Sequence, residues 1–303
     1  MEYSIYANIQ DITKRFQTTP DWEWYSSKYP LCKSDVAWAK STWNIIVGEW
    51  NGGTTEKVLE TLNGPHSYEA ELTTHIADNM LTNEFYKKKF KYRNRQMCGQ
   101  RVDIARYLSG DQRCWSTVKR ERVVNPSIRV YAPMGGTGEI KEKEMRVCGA
   151  MTAALCEALE TEGIGVELWA CCCAAGVFRQ GKKCSDDNDI AQMIKIKDSS
   201  TYCDFGLISY ITGSSGFYRN IIFKDRILAG LDVMVRTGGK KVFNGIGGSY
   251  NFREWTIPKD EDNEFNKDII LPRIYDMDRA KEYLEENIEK VVTQVKGNAY
   301  ECA

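Results

Sequence analysis

The chain has few of the features that announce a function. It holds only two histidines in 303 residues, His66 and His75. Neither neighbours a nucleophile motif such as GxSxG, so a histidine-based hydrolytic site has no local signature. No apolar run reaches the roughly 18 to 20 residues that cross a bilayer, which argues against a membrane-spanning helix. The opening MEYSIYANIQDITKRF lacks the positive-then-apolar order of a secretory signal, so the expected location is cytoplasmic. Charge of one sign is not in excess: 41 Lys and Arg stand against 42 Asp and Glu, for a net charge of −1. The chain as a whole is therefore not built to attract nucleic acid or anionic lipid, and any electrostatic role has to be local. Internal repeats and low-complexity tracts are also missing, which excludes a solenoid.

What is present is a large apolar content, 42% of the residues, enough to fill the core of one large α/β domain or two ordinary ones. The eleven cysteines are odd in number and scattered through apolar segments. They read as reduced, buried thiols rather than a disulfide framework. Cys171, Cys172 and Cys173 fall at the end of a strand-like segment. The outer two share one face, Cys172 points to the other, and with Cys184 they complete no CxxC or Cys/His set for zinc. The acids Asp186, Asp187 and Asp189 lack the glycine and distal glutamate of a calcium loop. No metal and no cofactor is expected.

Composition changes near Asn125-Pro126, which divides the chain into 1–126 and 127–303. The first part is rich in tryptophan, with Trp22, Trp24, Trp38, Trp43, Trp50 and Trp115 expected to anchor it on the sheet. Helical spacing recurs around Asp35 to Val47, Thr54 to Leu62 and His66 to Phe90, and strand alternation is hard to find, so this region is expected to be α-rich. After Pro126 strands and helices alternate. Ser127 to Ala132 reads as a strand, Ile140 to Glu162 as a helix stopped by Gly163, and Ile164 to Cys173 as a second strand, a βαβ unit with parallel strands. Gln192 to Lys197, Leu231 to Val235 and Asp268 to Leu271 are further strand candidates. Phe205 to Leu228 and a stretch from about Asp276 to Lys296 are expected helices. The fold class is α/β, with a central, mainly parallel sheet flanked by helices.

The glycine turn in RVYAPMGGTGEI, residues 129–140, lies between that first strand and helix, where α/β proteins hold phosphates or metals. A P-loop needs GxxxxGK followed by Ser or Thr, and nothing here supplies it. The dinucleotide fingerprint needs GxGxxG, but Lys141 stands at the third glycine position and ELWACCC ends in thiols rather than an acid. The backbone of Gly135, Gly136, Thr137 and Gly138 at a helix N-terminus remains a candidate binding loop for an anion, against a simpler role as a tight turn.

A second candidate is the segment FYKKKFKYRNRQMCGQR, residues 85–101. It carries Lys87, Lys88, Lys89, Lys91, Arg93, Arg95 and Arg101 with no acid, interleaved with four aromatic residues. Cations neutralise phosphates and aromatics stack on bases, so nucleic acid is a possible partner of the region 85–122. A solvated helix end is the alternative.

The order strand, turn, long helix and VELWA strand from Arg129 to Ala170 resembles the opening of von Willebrand factor A domains. The resemblance places the metal-binding aspartate of such domains on Pro133 and the first serine on Gly135, with only Thr137 keeping a hydroxyl. It thus implies a degenerate site without the oxygen ligands a hard cation needs. The blocks SDVAWAKSTWNIIVGEWNGG (34–53), GQRVDIARYLSGDQRCW (99–115), SIRVYAPMGGTGEI with GIGVELWA, MIKIKDSSTYCDFGLISYITGSSGFYRNIIF (193–223) and DIILPRIYDMDRAKEYLEENIEKV (268–291) together resemble an uncharacterised family of tailed-phage proteins. That resemblance implies a phage or prophage origin, hence the host cell cytoplasm, an A-domain-like sheet and no established activity. The first function hypothesis is a non-enzymatic scaffold that displays loops for a protein partner or another copy of itself. Nucleic-acid binding and an enzyme without a recognisable motif are the alternatives.

Overall fold

The computed structural model describes residues 2–15, 19–44, 54–63, 92–96, 101–102, 109, 115–118, 126–136, 139–174, 190–236, 238–239 and 268–301. Its centre is a five-stranded sheet. The strands are β1 (Glu2–Tyr6), β5 (Ser127–Pro133), β6 (Gly165–Ala174), β7 (Ile190–Lys197) and β8 (Ile269–Ile270). Their spatial order is β1-β7-β6-β5-β8, and only the β6–β7 pairing is antiparallel. The α/β class with a mostly parallel sheet is therefore as expected. β5 and β6 run in register from Ser127 opposite Gly165 to Pro133 opposite Cys171. Between them lies α5 (Glu142–Thr161), the long helix of the βαβ unit.

α5 ends where its sequence demands. Gly163 takes a left-handed φ of 81° that residues with a side chain rarely adopt. The Gly163 amide donates to Glu160 O at 3.0 Å and the Ile164 amide donates to Leu159 O at 3.0 Å. These two bonds satisfy the last carbonyls of the helix and turn the chain into β6.

Alternate residues of the strands divide the core. Ile128, Val130 and Ala132 of β5, with Val166 and Leu168 of β6, meet α5 and the C-terminal helix α8 (Met277–Glu301). Ala170, Cys172 and Ile194 meet a second group of elements on that same face. These are α1 (Ile9–Lys14), α4 (Thr55–Asn63), α6 (Phe205–Gly213) and a π-helical turn at Phe217–Ile222 that leads into α7 (Phe223–Arg236). The opposite face gathers Tyr131, Cys171 and Met193, with Trp169 and Ile270 against them, and no described helix residue joins that cluster. There Arg129 Nε donates to Glu167 Oε1 at 2.7 Å, and Lys195 Nζ lies 3.4 Å from Glu167 Oε2, so a row of charges crosses three strands.

Several expectations need correction. Leu231 to Val235 is helical, inside α7, because Leu231, Val233 and Met234 pack on α2 (Trp22–Lys28) and α3 (Lys33–Trp43) rather than on a sheet neighbour. The 1–126 region contains strands: β1 is an edge of the main sheet, and β2 (Tyr92–Gln96), β3 (Arg101–Val102) and β4 (Trp115–Val118) form a separate antiparallel sheet of order β2-β4-β3. Trp22 and Trp43 are buried, but they anchor α2 and α3 on Ile227, Leu231 and Met234 of α7, not on the sheet. The helix expected from His66 to Phe90 lies outside the described residues.

Candidate functional site

Strand order marks one place for a site. The chain leaves β5 through α5 to β6 on one side, and after β7 it returns through α6 and α7 to β8 on the other side of β5. The C-terminal end of β5 is thus the point where the winding changes direction, and open α/β sheets bind ligands in the crevice that such a switch creates. Gly135 and Gly136 occupy this point, whereas Thr137 and Gly138 lie outside the described residues.

Two of the protein's own side chains, Tyr218 and Tyr275, pack against the described part of this turn. Gly135 has φ of 75°, and a Cβ built on it would lie 2.1 to 2.4 Å from carbons of the Tyr218 ring, so the ring lies directly against the glycine backbone. Tyr218 reaches this place because it belongs to the π-helical turn, whose wider coil shifts the register of side chains relative to an α-helix. The Tyr275 hydroxyl donates to Gly135 O at 2.9 Å and would meet a Cβ on Gly136 at 3.0 Å. Burial pushes the Tyr275 hydroxyl up to about 12, so it stays protonated and keeps donating at neutral pH. Met134, just before the turn, is fully buried. Gly135 and Gly136 are buried too.

The helix start beside the turn is also engaged by the chain itself. Glu144 Oε2 accepts from the Lys141 amide at 2.7 Å, the reach-back half of a capping box. Glu142 takes Arg146 Nη2 at 2.7 Å and the Ser215 hydroxyl at 3.0 Å. Arg219 Nη2 donates to Ile140 O at 2.9 Å. Two carboxylates thus already sit in the first turn, where the helix dipole favours negative charge, and a bound anion has to compete with them.

Of the basic segment, the described residues lie on strands. Arg93 and Arg95 lie in β2 and Arg101 in β3, with Arg93 opposite Thr117 and Arg101 opposite Ser116 of the shared neighbour β4. Lys87, Lys88, Lys89 and Lys91 lie outside the described residues. So do His66, His75, Cys184, Asp186, Asp187, Asp189 and, apart from Ser109, the part of 85–122 between the strands. Among the described residues no group of three or more His, Cys, Asp or Glu is placed to hold a metal ion. Cys171 and Cys172 fall on opposite faces of β6, as strand alternation requires.

Sequence reasoning missed a buried polar network behind the sheet. Asp225 and Arg226 of α7 are both fully buried, as is Gln192 of β7. Gln192 links them: its Oε1 accepts from Arg226 Nε at 2.7 Å, and its Nε2 donates to Asp225 Oδ2 and to Ile222 O, the latter at 3.2 Å. Tyr6 of β1 donates to Asp225 Oδ1, and Arg15 Nη1 donates to Tyr6 Oη at 2.9 Å while standing 3.3 Å from Asp225 Oδ1. Arg226 also contacts Cys172 Sγ and lies over the rings of Tyr218 and Phe223, at 5.2 and 5.6 Å. Burial raises the pKa of Asp225, against the Tyr6 hydrogen bond and the Arg15 charge, which favour its ionised form. The network ties β1, β6 and β7 to α7, and through the Tyr218 ring it reaches the Gly135 turn. A signal existed: Asp225 stands four residues after Ile221 of the π-helical turn and four before Ala229 of α7, among buried apolar residues where a charge needs a partner.

Apolar residues also reach solvent. On the α2/α3 pair, Leu31 is 93% exposed, Trp24 41% and Trp38 40%. Among the described residues no helix is long and apolar enough to cross a membrane. No curated protein and no solved structure matches the chain. The family model described as a domain of unknown function, DUF7192, matches residues 4–296, and the chain belongs to that family.

Proposed function

We propose that the protein is a non-enzymatic interaction scaffold of phage origin, an A-domain-like sheet whose turn has become a packing element and whose outer helices receive a protein partner or another copy of the chain. The βαβ order and the parallel β5–β6 register support the likeness to von Willebrand factor A domains. The observation that carries the reading is the contrast between the two surfaces. At the switch point, Tyr218 and Tyr275 pack directly on Gly135 and Gly136. Around α2 and α3, Leu31 is 93% exposed and Trp24 41%, at a water-facing cost that a partner's apolar surface removes. Large aromatic residues of this kind dominate the energy of protein interfaces.

A tagged pull-down of the full chain during infection, read alongside sedimentation velocity of the pure protein, tests this. A stable complex or homo-oligomer is expected, and Leu31→Glu with Trp24→Glu is expected to weaken it about tenfold or more. Recovery of monomer alone, or a complex indifferent to both substitutions, contradicts the reading.

Nucleic-acid binding by residues 85–122 is the second reading, supported by the placement of Arg93, Arg95 and Arg101 on two strands that share one neighbour. It expects affinity that falls steeply with salt and weakens when Lys87, Lys88 and Lys89 become Gln. Filter binding with no retention at low salt removes it.

A further inference from the structure

The half-exposed Trp24 of α2 has its ring set between two others. Its centroid lies 4.8 Å from that of Tyr25 and 6.1 Å from that of Tyr29, at interplanar angles of 86° and 83°. Edge-to-face packing of this kind fixes the indole while leaving part of it open to water. Tyr29 is held in turn. It is buried, and a Cβ built on Gly239 would lie 2.9 Å from its Cδ1, so the ring rests on the glycine backbone just past the end of α7. Trp24 and Tyr29 thus stand as two nearly perpendicular walls of a corner.

The chain itself places a cation in that corner. Lys28 Nζ lies 4.4 Å from the Trp24 centroid and 5.9 Å from the Tyr29 centroid, within the range where the ring quadrupole attracts an ammonium. Carboxylates stand at the same end of the molecule. Asp21 caps α2, its Oδ1 accepting from the Trp24 amide at 3.0 Å, and Glu23 follows in the first turn. Burial, then Asp232, Tyr29 and Asp21, raise the pKa of Tyr25, so negative charge from α7 reaches these rings as well. Lys28 is exposed and is the last residue of α2, so its side chain can swing into water without breaking a helical turn.

We propose that the corner formed by Trp24 and Tyr29 is a receptor for an alkylammonium group, the lysine side chain of a protein partner, and that Lys28 occupies it until that lysine displaces it. The proposal rests on the reading of the α2/α3 face as a docking surface and names the chemistry that face selects. The exchange has a physical direction. A cation–ring contact is weak while water surrounds the ammonium and strengthens when a partner's surface excludes that water. Lys28 on the free protein has the weak form of the contact. A lysine delivered by a partner that also covers Leu31, two residues beyond Tyr29 in the chain, has the strong one. The displaced Lys28 ammonium returns to water, where it is well hydrated.

The test uses the full-length protein with ¹⁵N-labelled tryptophan, the Trp24 indole resonance being assigned by its loss in Trp24→Leu. n-Butylammonium chloride, which copies the end of a lysine side chain, is titrated against n-butanol as its neutral counterpart and sodium chloride at matched ionic strength. A saturable shift of the Trp24 indole is expected with n-butylammonium and with neither control. Lys28→Gln removes the internal occupant and should tighten binding about fivefold, the factor by which a cation–ring contact of ordinary exposed strength favours the filled corner. Saturation transfer from the protein to the n-butylammonium methyl should be lost in Trp24→Leu; because the Lys28→Gln titration needs no change to either ring, a folding defect in that variant does not obscure the answer. The proposal is overturned if n-butylammonium gives no saturable shift in the Lys28→Gln protein, or if n-butanol gives an equal one, which would mark a merely apolar surface. A Lys28→Gln protein that ignores n-butylammonium yet still forms the complex sinks the ammonium site and spares the docking face. Binding of n-butylammonium by a chain that forms no complex supports the site and removes the docking reading instead.

Discussion

Replacing Gly135 by Ala separates a packed turn from an open one. Two costs add. Alanine at φ of 75° costs about 1 kcal/mol because a side chain disfavours the left-handed region. Its methyl would also lie 2.1 Å from the nearest Tyr218 ring carbon, far inside van der Waals contact. The ring belongs to a fully buried residue and has little room to retreat, so overpacking adds about 1 to 3 kcal/mol. Gly135→Ala is therefore expected to cost about 2 to 4 kcal/mol. Gly163→Ala is the control: its φ is 81°, and nothing lies within 4 Å of the added methyl, so only the backbone cost of about 1 kcal/mol applies. Urea unfolding of both variants and wild type, with the slope compared to verify a common unfolding transition, gives the difference directly. If Gly135→Ala costs no more than Gly163→Ala, Tyr218 does not fill the turn and the account of a closed crevice is wrong.

Other perturbations reach different parts of the molecule. Arg226→Met leaves Asp225 buried with fewer partners and is expected to cost about 3 to 5 kcal/mol by urea unfolding; a loss under 1 kcal/mol would show the network to be dispensable. Glu167, whose burial raises its pKa but whose bond from Trp169 and whose neighbours Arg129 and Lys195 outweigh that, titrates below the ordinary 4.5. Its contribution is present above pH 4.5 and is lost as pH falls through the lowered folded value, so Glu167→Gln should flatten the acid limb of a stability–pH curve and lower stability at pH 7. Asp225 acts in the opposite sense: its pKa is raised, so its favourable contribution exists below the ordinary 3.8 and fades as pH rises through the folded value. Asp225→Asn should therefore give a smaller loss of stability at pH 7 than at pH 4, and an equal loss at both would contradict that sign.

The βαβ unit was legible from residues 127–174 because period two, period 3.6 and a glycine stop agree there. Where they disagree, the sequence misleads. β1 is inverted: Ser4 and Tyr6 face inward and Ile5 outward, because Tyr6 serves Asp225 rather than a purely apolar core. Its alternation therefore reads as noise. Leu231 to Val235 is too short an apolar run for periodicity to decide, and its partners, the tryptophan-rich α2 and α3, are almost two hundred residues away in the chain. The turn's position was readable, but its filling was not. Tyr218 arrives from a π-helical turn, and no pattern in FYRNII announces that change of coil.

The claim on which the rest depends is that the β5 turn is closed by the protein itself. Thermal unfolding of the pure chain with 10 mM magnesium, calcium or phosphate tests it. A site with a dissociation constant near 0.1 mM would add about 2.7 kcal/mol at that concentration and raise the midpoint by several degrees. The account predicts no saturable shift with any of the three. A saturable shift that Gly136→Ala abolishes would show a working ligand site at the turn.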